Sequence, residues 1–216
     1  MASHDSESHT MIEFFFDCSS PWTYLAFRNL QSLAAELKTT LAWRPVLVGG
    51  IFNAVNTGVY AAREDMNSAK NRYILKDVQD CARDADVVIR FPPKVFPVNS
   101  VKAMRGCLWI AQDTAAHDQL VPFIEAVFSA YFTREEDISQ DAVLVTICES
   151  LGIDADRFLI GIILPQIKDQ LKANTEEAMQ RGAFGSPTMF VGDDMYFGND
   201  RLHLVKSAVL AGRRPD

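Results

Sequence analysis

The spacing of apolar and polar positions changes along the chain and divides it into three parts. Residues 11–16 (MIEFFF) form a continuous apolar run that stops at Asp17, as in a buried strand closed by a turn. After Pro21, apolar side chains recur at positions 22, 25, 26, 30 and 33, which is the spacing of one helix face. A second strand is predicted around Thr40 to Leu47, interrupted by Pro45. The chain therefore opens with a β-α-β unit.

The middle of the chain shows helical periodicity and few strand signals. A proline-rich break at residues 91–100 is the one long interruption. Helices are predicted at residues 61–85, 101–115, 118–132, 139–151, 154–159 and 165–181. This stretch is predicted to be an all-helical insertion.

Strand patterns return near the end of the chain. Residues 185–197 predict a hairpin with a Gly-Asp-Asp turn, and residues 198–201 open a last helix in which Asn199 and Asp200 suit the capping position. The fold class is therefore α/β, with a thioredoxin-like β-α-β…β-β-α core split by an all-helical insertion. We assign residues 11–50 and 182–216 to the thioredoxin-like domain, residues 51–181 to the helical insertion domain and residues 1–10 to a disordered leader.

Composition and charge narrow the possible functions. The 216 residues are 48% hydrophobic and 23% charged, which is an ordinary globular balance. A net charge of −7 argues against binding to nucleic acid, which needs a basic face. Residues 1–10 lack the features of a signal peptide, and no apolar run is long enough to span a membrane. We therefore expect a cytoplasmic protein that binds neither membrane nor nucleic acid.

The cysteines and histidines do not form a metal-binding or dithiol motif. Cys18, Cys81, Cys107 and Cys148 contain no C-x-x-C pair and match no zinc spacing, and the four histidines are scattered. We expect no metal site.

Three short segments carry candidate chemistry. Ser20 lies at the start of a helix, where the dipole and the free N–H groups favour a bound thiolate, although a serine there can equally be a simple cap. Ser186-Pro187 follows a glycine and precedes a strand, so it is either a cis peptide bond that leaves the Ser186 backbone free for a ligand or a plain turn. Residues 197–201 (FGNDR) can either bind the two charges of an amino-acid end or only begin the last helix.

These three segments are part of a resemblance to a known family that extends over most of the chain. Residues 16–25 (FDCSSPWTYL) resemble the opening of the 2-hydroxychromene-2-carboxylate isomerases and kappa-class glutathione transferases, which share the DsbA-like thioredoxin fold. Further blocks match in order at residues 44–45 (RP), 49–52 (GGIF), 96–100 (FPVNS) with 103–105 (AMR), 182–188 (GAFGSPT) and 197–201. The match runs from about residue 12 to the C-terminus. The resemblance implies glutathione as the cofactor, a small aromatic substrate and a homodimer.

The resemblance also implies a role for individual residues. Ser20 would be catalytic and face the glutathione sulfur. The implied glutathione contacts are Ser20, Asn56, Ser186, a cis Pro187, Phe197, Gly198, Asn199 and Asp200. The implied substrate contacts are Asn53, Ala54, Asn56, Val98 and Asn99. Isomerases of this family often carry a lysine in the 53–54 region, where this chain has asparagine and alanine.

The implied activity is a glutathione-dependent cis-trans isomerisation of an aromatic-degradation intermediate. The Asn199-Asp200 pair and the block at residues 97–100 favour this branch, since kappa transferases tend to have serine at the first position of the pair. Kappa-class transferase or peroxidase activity is the alternative within the same family. A non-catalytic glutathione- or peptide-binding module is an alternative of another class.

A DsbA-like disulfide oxidoreductase is disfavoured by the residues at the redox positions. The two redox cysteines of such proteins correspond here to Ser20 and Thr23. Cys18 lies two residues before Ser20 and has no second thiol at the position that would resolve a mixed disulfide.

Overall fold

The computed structural model describes residues 11–60 and 68–212, so the predicted leader and the first part of the helix predicted at 61–85 lie outside the described residues. The strands are β1 (Ile12–Phe16), β2 (Leu41–Pro45), β3 (Thr188–Val191) and β4 (Asp194–Phe197). The α-helices are α1 (Pro21–Leu37), α2 (Val48–Val55), α3 (Ala69–Asp84), α4 (Val101–Gln112), α5 (Leu120–Phe132), α6 (Asp141–Ser150), α7 (Ala155–Gly161), α8 (Pro165–Gln180) and α9 (Leu202–Ala211). Two short 3-10 helices precede α5 and α9, at His117–Gln119 and Asn199–Arg201.

The four strands form one mixed sheet in the order β2-β1-β3-β4. β1 pairs parallel with β2 and antiparallel with β3, and β3 pairs antiparallel with β4. This is the predicted β-α-β…β-β-α core, and it places the end of β1 next to the start of β3. The thioredoxin-like fold with a helical insertion is therefore confirmed.

Both faces of the sheet are covered, which explains the unbroken apolar run of β1. Phe14 and Phe16 face the main core, where they stack on each other at 5.5 Å between ring centroids and pack against α1. Phe15 faces the opposite side and meets Phe190 edge-on, in a smaller cluster that includes Ala178 of α8. A strand buried on both faces needs no polar alternation. Because α8 packs on the sheet and also follows the insertion helices, the boundary at residue 181 stays a prediction.

The hairpin between β3 and β4 is tighter than predicted. Asp194 pairs with Val191 and belongs to β4, so the turn holds only Gly192 and Asp193, and the predicted Gly-Asp-Asp turn is wrong by one residue. Gly192 has a φ of +61°, and the absence of a Cβ allows this two-residue connection. Within the described residues, no helix combines the length and apolar character needed to cross a membrane.

Candidate active site

Ser20 lies at the N-terminus of α1, as the sequence predicted. Its backbone is extended, with φ −105° and ψ 125°, and its hydroxyl oxygen accepts a hydrogen bond from the Thr23 N–H at 3.3 Å. Pro21 occupies the first helical position, where the missing N–H has no helical partner to lose. The half-buried Ser20 hydroxyl is thereby held among the free N–H groups of the first turn.

The loop before β3 lies directly against this helix terminus. The Ser186–Pro187 bond is cis, as proposed from the sequence, and the Ser20 hydroxyl donates to the Ser186 carbonyl at 3.2 Å. The Ser186 carbonyl that was predicted to be free for a ligand already accepts this one hydrogen bond, which leaves the second of its two lone pairs. A hydroxyl has a single proton, so a ligand sulfur bonded by Ser20 would have to replace this carbonyl.

Buried hydrogen bonds to a backbone N–H and to a second hydroxyl hold the Ser186 side chain in place. The Ser186 hydroxyl accepts from the Asp17 N–H at 3.1 Å and lies 2.8 Å from the Thr23 hydroxyl. Thr23 and Ser186 are both buried, so each hydroxyl needs the other as a partner. Thr23 therefore helps to hold the Ser186 loop against the start of α1.

Ser20 and Ser186 open onto a first cavity of about 320 Å³. Its other lining residues come from α1, α2, α3 and the loops around them: Ser19, Pro21, Trp22, Val48, Phe52, Asn56, Val59, Lys70, Asn71, Ile74, Leu75, Phe91, Phe96, Gly185 and Phe197. Gly185 is required by the close approach of a ring, since an added Cβ would lie 2.9 Å from Phe197. The cavity has an apolar wall with a small group of polar side chains, as ligand pockets commonly do.

Lys70 is a lining residue that the sequence argument did not identify. It lies on α3 and is the one lysine or arginine among the described residues that line the first cavity. The helix was predicted, but no local pattern showed that this turn of it would face Ser20.

Asn56 lines the first cavity at the end of α2. Its side-chain amide donates to the Phe184 carbonyl at 3.1 Å, which ties α2 to the loop that precedes the cis proline. Asn53 and Ala54 are exposed on α2. They line neither the first cavity nor the adjacent cavity that contains Val98 and Asn99. The Asn53 side-chain oxygen instead accepts from the Tyr60 hydroxyl at 2.6 Å.

The segment after β4 begins with Phe197, which lines the first cavity. Gly198 has a φ of +97°, and its N–H donates to the Pro187 carbonyl at 3.1 Å. The Asn199 side-chain oxygen accepts from the Asn29 amide at 2.9 Å, and Asp200 pairs with Arg201. The predicted capping by Asn199 or Asp200 is wrong, because these side chains have other partners and neither helix start has a side-chain cap bond.

A second cavity of about 280 Å³ adjoins the first. The two share four lining residues, Ser19, Val48, Phe52 and Phe96. Val98 and Asn99, which the resemblance placed at the substrate, line this second cavity, together with Asp17, Leu47, Gly49, Gly50, Tyr60, Pro97, Ser100 and Val101. No lysine or arginine of the described residues lines it.

Asp17 is a buried carboxyl at the floor of the site, with 1% of its surface exposed. Its two oxygens accept from the Ser19 N–H at 2.9 Å and from the Val48 N–H at 2.8 Å. Burial raises the pKa of this carboxyl, while hydrogen bonds from Val48, Ser19 and Ser100 act in the opposite direction. In the sequence, Asp17 marks only the end of a predicted strand.

Cys18 points into the core, away from both cavities. It is fully buried beside Cys107 of α4, and burial raises its thiol pKa well above the ordinary value. A protonated, inaccessible thiol is a poor nucleophile, which agrees with the sequence argument against redox chemistry at Cys18. Within residues 11–60 and 68–212, no group of three metal-binding side chains comes together.

Comparison with known proteins gives consistent matches over nearly the whole chain. A family model described as the DSBA-like thioredoxin domain matches residues 11–210. The 2-hydroxychromene-2-carboxylate isomerase of Pseudomonas putida is 28% identical over 92% of this chain and 94% of its own length. Glutathione S-transferase kappa 1 of Homo sapiens is 27% identical over 90% of this chain and 88% of its own.

Among solved structures, a 2-hydroxychromene-2-carboxylate isomerase superposes with a TM-score of 0.79 at 26% identity. The superposition covers 93% of this chain and 95% of that structure. The resemblance read from the sequence is thus confirmed.

Proposed function

The chain belongs to the DsbA-like thioredoxin family, and on that premise we propose that it is a glutathione-dependent isomerase of the 2-hydroxychromene-2-carboxylate type. Its relatives include proteins named as such isomerases and as kappa-class glutathione transferases, which supports an enzymatic role. In this proposal the substrate is an unsaturated carbonyl compound derived from an aromatic ring.

The observation that carries the proposal is the position of the Ser20 hydroxyl. It lies at the N-terminus of the 17-residue α1, beside the cis proline loop, and lines the first cavity. The partial positive charge of the helix terminus and a hydroxyl proton both favour a thiolate over a thiol there. Ser20 would donate to the sulfur, and the Ser186 carbonyl would then be open to the peptide N–H of the ligand.

Residues in and beside the first cavity would contact the two ends of a glutathione molecule; of residues 197–200, only Phe197 lines the cavity itself. Phe197, Gly198, Asn199 and Asp200 would hold the γ-glutamyl end, which carries one carboxylate and one ammonium. Lys70 lines the cavity from α3 and would meet the carboxylate of the other end. Asn56 would contact the ligand from α2. The cavity of about 320 Å³ is within the range of small-molecule sites.

Bound glutathione would supply a thiolate that adds reversibly to a conjugated carbon, so that the former double bond can rotate. The chain's own residues would orient the two reactants and stabilise charge. Ser20 would hold the sulfur, while Val98 and Asn99 would place the substrate in the second cavity. Phe52 and Phe96 line both cavities and would limit the access of water between them.

Conjugation of glutathione to a neutral electrophile is a second candidate, favoured by one observation. None of the described residues that line the second cavity is a lysine or arginine, so none of them offers a cation to a substrate carboxylate. This activity would consume glutathione, whereas isomerisation would return it.

The test measures thiolate absorbance in the ultraviolet with added glutathione at neutral pH, for the wild type and Ser20→Ala. The proposal expects a thiolate signal in the wild type that is lost in the variant. Turnover of a chromene carboxylate with sub-stoichiometric glutathione would support the isomerase, and stoichiometric loss of glutathione would support the transferase. Absence of the thiolate signal in the wild type would contradict both and leave a non-catalytic binding module.

A further inference from the structure

The segment that leads from β2 into α2 is held by side chains from a distant part of the chain. The Asn174 side-chain amide donates to the Pro45 carbonyl at 3.0 Å, and the Thr175 hydroxyl accepts from the Leu47 N–H at 3.0 Å. Asn174 and Thr175 are neighbours on α8, and both are buried. Two side-chain hydrogen bonds therefore fix the entry into α2 to α8.

The first N–H of α2 is also bound by a side chain from another element. Leu47 at the N-cap position is apolar and forms no side-chain cap bond, and the Asp17 carboxyl accepts instead from the Val48 N–H at 2.8 Å. The other Asp17 oxygen accepts from the Ser19 N–H at 2.9 Å. Asp17 thus joins the start of α2 directly to the turn that carries Ser20.

These bonds are important because α2 is short and contributes to both cavities. Val48 and Phe52 line both of them, and Asn56 lines the first. A helix of 8 residues gains little stability from its own backbone, so its position is set by tertiary contacts. At the far end of α2, the Asn56 amide donates to the Phe184 carbonyl at 3.1 Å. The helix is therefore tied to its surroundings at both ends.

We propose that Asp17 and Thr175 are positioning residues that fix α2, and with it the wall of both cavities, relative to Ser20. The inference rests on the proposed function, in which a thiolate at Ser20 must reach a carbon atom of a substrate in the second cavity. A displacement of about 1 Å far from the reacting atoms can reduce a rate by about 100-fold. Binding of the thiol itself depends less on α2, because Ser20 and Ser186 are held by bonds to each other and to Thr23.

The Thr175 hydroxyl allows the most selective test of this role. It accepts from the Leu47 N–H and donates to the Leu171 carbonyl of its own helix at 2.8 Å, and Thr175 lines neither cavity. Its methyl carbon lies 3.5 Å from the point where a Cβ of Gly50 would be, so the side chain also packs on α2. Thr175→Val keeps the shape of the side chain without the hydroxyl, and Thr175→Ser keeps the hydroxyl without the methyl group.

The test compares kcat with the two binding steps, in whichever of the two proposed reactions the wild type carries out. In Thr175→Val we expect kcat at saturating glutathione to fall about tenfold. Kd for reduced glutathione, measured by calorimetry, and KM for the aromatic substrate should each change less than about threefold. Thr175→Ser should restore kcat to within about twofold of the wild type, because the bond to Leu47 is kept.

Two further variants make the test independent of the folding of Thr175→Val. Asp17→Asn presents one oxygen where the carboxyl presents two, so the Ser19 or the Val48 N–H loses its acceptor, and kcat should again fall about tenfold. Thr133→Val is the matched control and should keep the wild-type kcat, because the Thr133 hydroxyl ties two segments together outside both cavities. An unchanged kcat in Thr175→Val or Asp17→Asn, or an equal loss in Thr175→Ser or Thr133→Val, would overturn the inference alone. Absence of both reactions in the wild type would overturn the proposed function, and this inference with it.

Discussion

The two cavities share a wall but are built by different parts of the chain. The first takes Ser20 and Ser186 from the thioredoxin core, where strand and helix ends meet, and it adds Asn56 and Lys70 from the end of α2 and from α3. The second is formed chiefly by α2 and by residues 96–101, which enter α4. Ser20 and Ser186 are fixed by several hydrogen bonds, whereas Val98 and Asn99 lie on a connecting segment.

In the proposed function, this difference would separate recognition of the cofactor from recognition of the substrate. A network of hydroxyls and backbone groups presents fixed dipoles and hydrogen-bonding groups to one kind of ligand. A cavity with apolar walls on a connecting segment selects by shape, and it can change by substitution without disturbing the network. Substitutions in each cavity test this separation.

Ser20→Ala should break the function of the first cavity. We expect the thiolate signal to disappear and kcat/KM to fall by about 100- to 1000-fold, as when a donor to a developing anion is removed. Loss of the cap would also lower the free energy of unfolding by about 1 kcal/mol. Steady-state kinetics and thermal unfolding measure the two effects separately.

Asp154→Ala is the matched control for the loss of a cap. Asp154 caps α7 by accepting from the Arg157 N–H at 3.0 Å, and it lines neither cavity. It should lose a similar amount of stability, about 1 kcal/mol, and keep full activity. An equal fall in kcat/KM in this variant would show that stability, not thiolate binding, explains the effect of Ser20→Ala.

Val98→Trp should disturb the second cavity alone. The larger side chain fills space beside Phe96, so KM for the aromatic substrate is expected to rise about tenfold while Kd for glutathione changes less than about twofold. Val95→Trp is the control, because Val95 lies on the same segment with an exposed side chain outside both cavities. A parallel loss of glutathione affinity in Val98→Trp would contradict the separation of the two cavities.

The first cavity was also the more predictable of the two from the sequence. Ser20 and Pro187 lie at a helix start and a strand start, and local patterns determine both positions. The hydrogen bond from Ser20 to Ser186 joins residues 166 positions apart, and no local signal indicates that this carbonyl is already engaged. The prediction that Asn199 caps the last helix fails for the same reason. Its side chain is bonded instead to Asn29, which lies 170 positions away in the sequence.

The second cavity depends almost wholly on packing between distant segments. Val98 and Asn99 were placed there by resemblance rather than by periodicity. Asn53 and Ala54 were placed by the same reasoning, yet they face outward, because the helical face of α2 that meets the core carries Val48 and Ile51. Asp17 shows the converse case, since a strand-ending polar residue gives no sign that its side chain will be buried.

Asn199→Ala tests the segment beside the first cavity that is proposed to hold the γ-glutamyl end, and it should have a smaller effect. The side-chain oxygen is bonded to Asn29, so the amide group would be the part presented to the γ-glutamyl end. Loss of one partly solvated hydrogen bond predicts about a threefold to tenfold rise in Kd for glutathione. KM for the aromatic substrate at saturating glutathione should not change. Unaltered glutathione affinity, measured by calorimetry, would remove Asn199 from the proposed site.

Cys18→Ala should have the smallest effect, although Cys18 lies two residues from Ser20. The thiol is fully buried beside Cys107, so its removal leaves a small void that is expected to lower the free energy of unfolding by about 1 kcal/mol. Thiolate formation and glutathione affinity should both stay within about twofold of the wild type, because the side chain faces the core rather than the cavities. Chemical denaturation and the ultraviolet assay give the two values. Loss of the thiolate signal in this variant would instead point to Cys18 as a participant in thiolate formation.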